Sequence, residues 1–183
     1  MKSSQPQHSR VLGISLSSRG VGFAVMDGKN TLVDWGVRVV KGDKNARCLS
    51  HFGNLVSRYE PNVLVLENVE SKGSRRVSRI QDLWRQVSDQ AQSQKIRVKL
   101  FEPKQIRAGL LDNPDGTKHA LAEHLASRFP DELGLRLPKK RKAWMSADSR
   151  MDIFDAVALA EHYLRSAESD SPTRNEEEGS IGE

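Results

Sequence analysis

The sequence predicts an α/β domain built on a five-stranded mixed sheet covered by helices on both faces. Three observations carry this. Three strand-like runs follow one another closely near the start. Val63-Leu64-Val65-Leu66 is a continuous apolar run, the mark of a strand buried on both faces. Helical periodicity fills the stretches between and after the later strands.

Each element has a local reason. Val11-Leu12-Gly13-Ile14 starts the first strand, and Gly20 to Met26 gives the second, with Val21, Phe23 and Val25 alternating onto one face. Asp27-Gly28-Lys29-Asn30 is a turn signal, and Thr31 to Val40 follows as a third strand, so the three form an antiparallel meander. Leu49, Phe52, Leu55 and Val56 recur at helical spacing within Ala46 to Tyr59. After Pro61-Asn62 comes the buried fourth strand. Ser78 to Gln94 is again amphipathic, through Ile80, Leu83, Trp84, Val87 and Ala91, and Val98 to Phe101 is a short fifth strand. Strands 4 and 5 are expected to be parallel, because a helix separates them. Lys104 to Leu111, Lys118 to Phe129 and Ser149 to Arg165 read as helices, the last carrying Ile153, Ala156, Val157, Ala160 and Leu164 on one side. A meander leading into parallel strands is the arrangement of the ribonuclease H-like fold.

The chain of 183 residues fits one domain over residues 10–165, between a disordered lead (1–9) and an acidic disordered tail (166–183). Cys48 is the only cysteine, which excludes a disulfide scaffold and suits a reducing compartment. No stretch approaches the roughly 20 apolar residues of a membrane span, and the polar opening lacks the pattern of a signal peptide, so a cytoplasmic location is expected. The whole chain carries +5, but the tail alone carries −5, leaving +10 on residues 1–165. Such a body attracts phosphates. Many basic domains bind nothing, so charge alone does not decide the partner.

The acids are more specific. Glu67 ends the most buried strand, where open α/β sheets place their sites, although a strand surfacing into a loop gives the same pattern. Asp152 and Asp155 are three apart and share a helix face, which Asp148 joins if the helix starts early enough. A divalent cation would relieve their repulsion. Capping and the helix dipole account for Asp148 well, Asp152 in part and Asp155 poorly. Other motifs fall away. Gly20-Val21-Gly22 lacks a third glycine, no phosphate loop of the Gly-Lys-Ser/Thr kind exists, and His119 and His124 are five apart rather than the four of a zinc helix. No organic cofactor is expected.

Three segments together resemble the RuvC-type Holliday-junction resolvases of the ribonuclease H-like superfamily. They are Val11 to Val25, then Pro61-Asn62-Val63-Leu64-Val65-Leu66-Glu67-Asn68-Val69, and Asp152-Ile153-Phe154-Asp155-Ala156-Val157-Ala158-Leu159-Ala160, in the family's order and spanning about residues 10–165. The resemblance implies catalytic and metal-binding roles for Glu67, Asp152 and Asp155. It implies Mg²⁺ or Mn²⁺, hydrolysis of a phosphodiester in branched DNA, a place in DNA recombination, and a homodimer. It also shows a departure: Ser15 stands where the family has its first catalytic Asp, so cleavage is expected to be impaired unless Asp148 supplies the missing ligand. The alternative is a non-catalytic nucleic-acid-binding module of the same fold.

The candidate nucleic-acid contacts are Arg75, Arg76, Arg79, Lys118 at a helix start, and the run Lys139-Lys140-Arg141-Lys142. Trp144 follows that run. It either offers a stacking surface or packs on the last helix.

Overall fold

The computed structural model describes residues 9–70 and 78–169. Five strands, β1 (Arg10–Leu16), β2 (Gly20–Asp27), β3 (Leu32–Val39), β4 (Val63–Glu67) and β5 (Arg97–Phe101), form one sheet in the order β3-β2-β1-β4-β5. β1, β2 and β3 pair antiparallel, and β4 lies parallel to both β1 and β5. This is the expected mixed sheet. The Asp27-Gly28 turn closes the β2–β3 hairpin, with Gly28 at φ 66°, a backbone that glycine adopts without strain.

Among the described residues, six helices cover the sheet. α1 (Lys44–Tyr59) and α2 (Ser78–Ser93) lie on one face. α3 (Pro103–Leu111), α4 (Lys118–Arg128), the one-turn α5 (Pro130–Leu133) and α6 (Met151–Ser169) lie on the other. Alternation along the strands divides the core accordingly. Leu12, Ile14, Leu64 and Leu66 pack toward α1 and α2, and Val11, Ala24, Met26, Val63 and Val65 toward α6. The short α5 and the 3₁₀ turn Gly134–Arg136 behind it were not anticipated. Pro130 starts that helix at a position where its missing N–H costs nothing.

α6 runs to Ser169, where Glu168 meets Lys29 of the β2–β3 turn at 2.8 Å. It also lies unusually close to the sheet. A Cβ on Gly13 would fall 2.1 Å from the Ala156 carbonyl oxygen, and one on Gly22 would fall 2.1 Å from that of Asp152. The two glycines let helix backbone touch strand backbone, which fixes where the acids of α6 stand over β1 and β2. Glu161 of this helix is fully buried, held by Arg128 at 2.7 Å and Arg165 at 2.6 Å. Among the described residues no helix is long and apolar enough to cross a membrane.

Candidate metal and nucleic-acid site

The site forms where β1 and β4 end side by side. Their ladder pairs Val11 with Val63 and runs to Ile14 with Leu66. Carried one step further, this register sets Ser15 beside Glu67 on the adjoining strand. Both share the face of Val11 and Val65, toward α6. Ser15 is 5% exposed and pairs with Gly22 across the other edge of β1. Over Gly22 sits the backbone of Asp152. Ser15 therefore lies between Glu67 and the first turn of α6.

Two acids share a cleft. Glu67 and Asp155 line a cavity of 290 Å³ together with Lys118, Arg107, Pro103 and Ile106. The Lys118 ammonium lies 2.8 Å from Asp155 Oδ2. Thr117 positions that lysine: its hydroxyl oxygen accepts from the Ala120 N–H at 3.0 Å and caps α4 one residue before Lys118. The indole N–H of Trp84 donates to the Glu67 carbonyl at 3.0 Å, pinning the end of β4 from the opposite face.

Asp152 stands apart from that cleft, 8% exposed, with Oδ2 buried and without a hydrogen-bond partner. Burial pushes its carboxyl above the usual range and a hydrogen bond with Ser17 pulls it back; Asp155 raises it further, while Lys118 and Arg19 lower it. Asp148 precedes α6 and is held by Arg150, whose Nη2 lies 2.6 Å from its Oδ2. That bond, foremost, lowers the Asp148 carboxyl below its ordinary value. Among the described residues no three acid, histidine or cysteine side chains gather into a metal cage.

The cations at this end have specific tasks. Arg79 donates to Asn45 Oδ1 at 2.7 Å and to the Ser18 carbonyl at 3.2 Å. Lys44 reaches the same carbonyl at 2.9 Å, and Arg19 donates to the Ala147 carbonyl. The β1–β2 turn is thus gripped by side chains of α1 and α2, and its own Arg19 reaches the backbone of the segment before α6. Arg75 and Arg76 lie outside the described residues. Lys139, Lys140, Arg141 and Lys142 are all exposed in that segment. Sequence reasoning missed Ser17, Arg19 and Arg107. Ser17 was within reach of it, since it continues the alternation of Ser15, whereas Arg107 becomes legible only once α3 is docked.

This arrangement can be compared with known structures. No protein-family model matches the chain, and no curated protein matches it in sequence. Solved structures do. RuvC of Thermus thermophilus superposes with a TM-score of 0.65 at 16% identity, covering 87% of this chain and 96% of that one. The same protein in complex with a Holliday-junction substrate gives 0.67 at 17% identity, covering 88% and 96%. The chain has the RuvC fold. A yeast mitochondrial Holliday junction resolvase, at 0.61 and 15% identity over 86% of this chain and 78% of that one, agrees. In this RuvC-like frame the ends of β4 and β1 and the start of α6 lie at one end of the sheet, and here they carry Glu67, Ser15 and Asp152 with Asp155.

Proposed function

We propose that the protein is a RuvC-like, structure-selective endonuclease that hydrolyses a phosphodiester of branched DNA with the help of Mg²⁺ or Mn²⁺. The observation that carries this reading is the placing of Glu67 and Asp155 in one cleft at the strand ends, with Ser15 on the strand beside Glu67 and Asp152 three residues before Asp155 on α6. The oxygen donors fit a hard cation: an unbonded buried carboxylate oxygen on Asp152 and two acids facing one cavity are groups that such an ion satisfies. Glu67, Asp155 and Asp152 would hold it. A bound ion supplies Lewis-acid polarisation of the phosphate and a more acidic water.

The chain's own residues set the limits. Ser15 brings a lone pair but no charge to the centre of the site. Lys118 neutralises Asp155 in the free protein. The anionic charge available is therefore lower than four carboxylates would give, and slow cleavage is expected. The cations Lys118 and Lys139 to Lys142 hold phosphate oxygens. Branched DNA is supported as the partner by the Holliday junction bound in the Thermus thermophilus relative. A homodimer suits a junction of two-fold symmetry.

The same two observations, Ser15 and the Lys118–Asp155 pair, favour a second reading: a binding module of this fold that no longer cuts. Incubation with a four-way junction and Mg²⁺ or Mn²⁺, with strand-resolved product analysis, separates the two. Paired nicks at defined positions support the nuclease. Tight, salt-dependent binding without nicks supports the module.

A further inference from the structure

The segment between the 3₁₀ turn and α6 holds an aromatic side chain that the fold does not use. Trp144 is 79% exposed, whereas Trp84 is buried and Trp35 partly so. It does not pack on α6. It sits in a tight turn closed by the Met145 N–H donating to the Lys142 carbonyl at 3.0 Å. The Lys142 ammonium lies over its ring, 5.1 Å from the centroid. Four consecutive cations, Lys139 to Lys142, lead into it.

The turn also stands near the acids. Three residues after Trp144, the Ala147 carbonyl is held by Arg19 of the β1–β2 turn. Three extended residues span at most about 11 Å, so the ring is tethered to the side of the molecule that carries the β1–β2 turn, which follows the Ser15 end of β1. An indole left in water beside a row of cations has a poor structural rationale. It has a good chemical one as a π-face for a nucleobase, because stacking needs an open ring and the cations hold the adjoining phosphates.

We infer that Trp144 is a stacking platform for an unpaired base at the branch point, so that the substrate of the proposed site is a junction with at least one base freed from pairing beside the scissile phosphate. This rests on the reading of the protein as a branched-DNA binder. The cation run distinguishes it from a protein-docking surface, for which charge is usually depleted around the central aromatic.

The test compares wild type, Trp144→Phe and Trp144→Ala. The probes are a four-way junction with an unpaired thymine at the crossover, a duplex and a single strand of matched length. Binding and tryptophan emission are read together. Wild-type emission should be quenched on saturation with the junction or the single strand, and Trp144→Phe should lose that quench while keeping affinity within about threefold. Trp144→Ala should lose roughly 5- to 100-fold in affinity for both, with duplex binding and the salt slope unchanged. The melting temperature should stay constant in both variants, since the ring buries little. Equal affinity of Trp144→Ala and wild type, or unquenched emission at saturation, overturns the platform while the branched-DNA reading stands. Wild type that binds junction no better than duplex overturns that reading instead, and the single-strand arm then decides the platform alone. A change in association state on Trp144→Ala, with DNA binding intact, assigns the ring to a protein contact and also overturns it.

Discussion

The Lys118 ammonium lies 2.8 Å from Oδ2 of Asp155, so this acid of the cleft already has a cationic partner. Lys118 is mostly exposed although Asp155 is not, and solvent around the ammonium holds such a pair to about 1 kcal/mol. Its effect on ligand binding is larger than its effect on stability. Lys118→Met should leave the melting temperature within about 2 °C of wild type. It should raise the affinity for Mn²⁺ severalfold, as measured by titration calorimetry, because an ion entering the cleft no longer competes with the ammonium. Unchanged Mn²⁺ affinity would place the ion elsewhere.

Ser15→Asp adds a carboxylate at a position 5% exposed, next to Glu67 and close to Asp152. Without divalent ions the variant should lose about 2 kcal/mol or more, since a buried charge is set beside like charges. Mg²⁺ in excess should recover that loss through binding to the native state, and junction cleavage should rise with it. Denaturation curves with and without Mg²⁺ check the first claim and strand-resolved cleavage the second. A variant that binds Mg²⁺ and junction yet does not cut would establish the binding module.

Gly22→Ala should be far more damaging than its one methyl suggests. The new Cβ would lie 2.1 Å from the Asp152 carbonyl oxygen, which belongs to helix backbone and cannot swing aside. α6 must lift, at a cost of about 1–3 kcal/mol, or roughly 3–10 °C in melting temperature for a domain of this size. Because the lift occurs at Asp152, metal binding should fall along with stability. Gly28→Ala, whose Cβ meets nothing within 4 Å, serves as the comparison for backbone strain alone.

Two histidines, His162 buried and His51 half-buried, set an acid limit. Burial lowers the pKa of both His51 and His162 below the ordinary value near 6.5; Arg38 adds to this at His51 and Arg165 at His162, while Asp34 opposes it at His51. Both are therefore neutral in the fold and charge more readily when unfolded. Stability is full above about pH 6.5 and falls as pH drops from there through the lowered native values. Urea unfolding between pH 7.5 and 5 should show this loss, and His162→Gln together with His51→Gln should flatten it.

Reversing Lys139, Lys140, Arg141 and Lys142 to Glu should weaken junction binding and reduce the slope of log K against log salt by up to about 4. An unchanged slope would remove the run from the interface. Trp144→Ala, by contrast, should leave the slope alone.

Much of this was legible in the sequence because it depends on short-range pattern. Alternation gave the strands, the apolar run Val63 to Leu66 gave the interior parallel strand β4, and the placing of Glu67 at its end pointed to the candidate site. Asp152 and Asp155 share a helix, and their spacing was readable, but their fates differ: one turns into a closed contact with Ser17 and the other toward Lys118. That difference depends on how far α6 sinks onto Gly13 and Gly22, a distance no periodicity encodes. Glu161 was equally hidden. A glutamate on the last helix reads as solvated until Arg128, 33 positions away, is known to reach it. Arg79 read as a phosphate contact, and the structure gives it two protein acceptors, the Asn45 side chain and the Ser18 carbonyl. Long-range pairing of this kind is settled by tertiary packing.

The docking of α6 has a consequence for biosynthesis. This helix covers Val11, Ala24, Met26, Val63 and Val65 across the middle of the sheet, yet among the described elements it is the last to be synthesised. Until it arrives, one face of the sheet is bare, and a nascent chain carries an adhesive surface that calls for chaperone cover. The same delay withholds Asp152 and Asp155 from Glu67. Unfinished or prematurely terminated polypeptides therefore expose hydrophobic surface but never a completed acidic site, so any cutting activity becomes available only to molecules whose folding has finished.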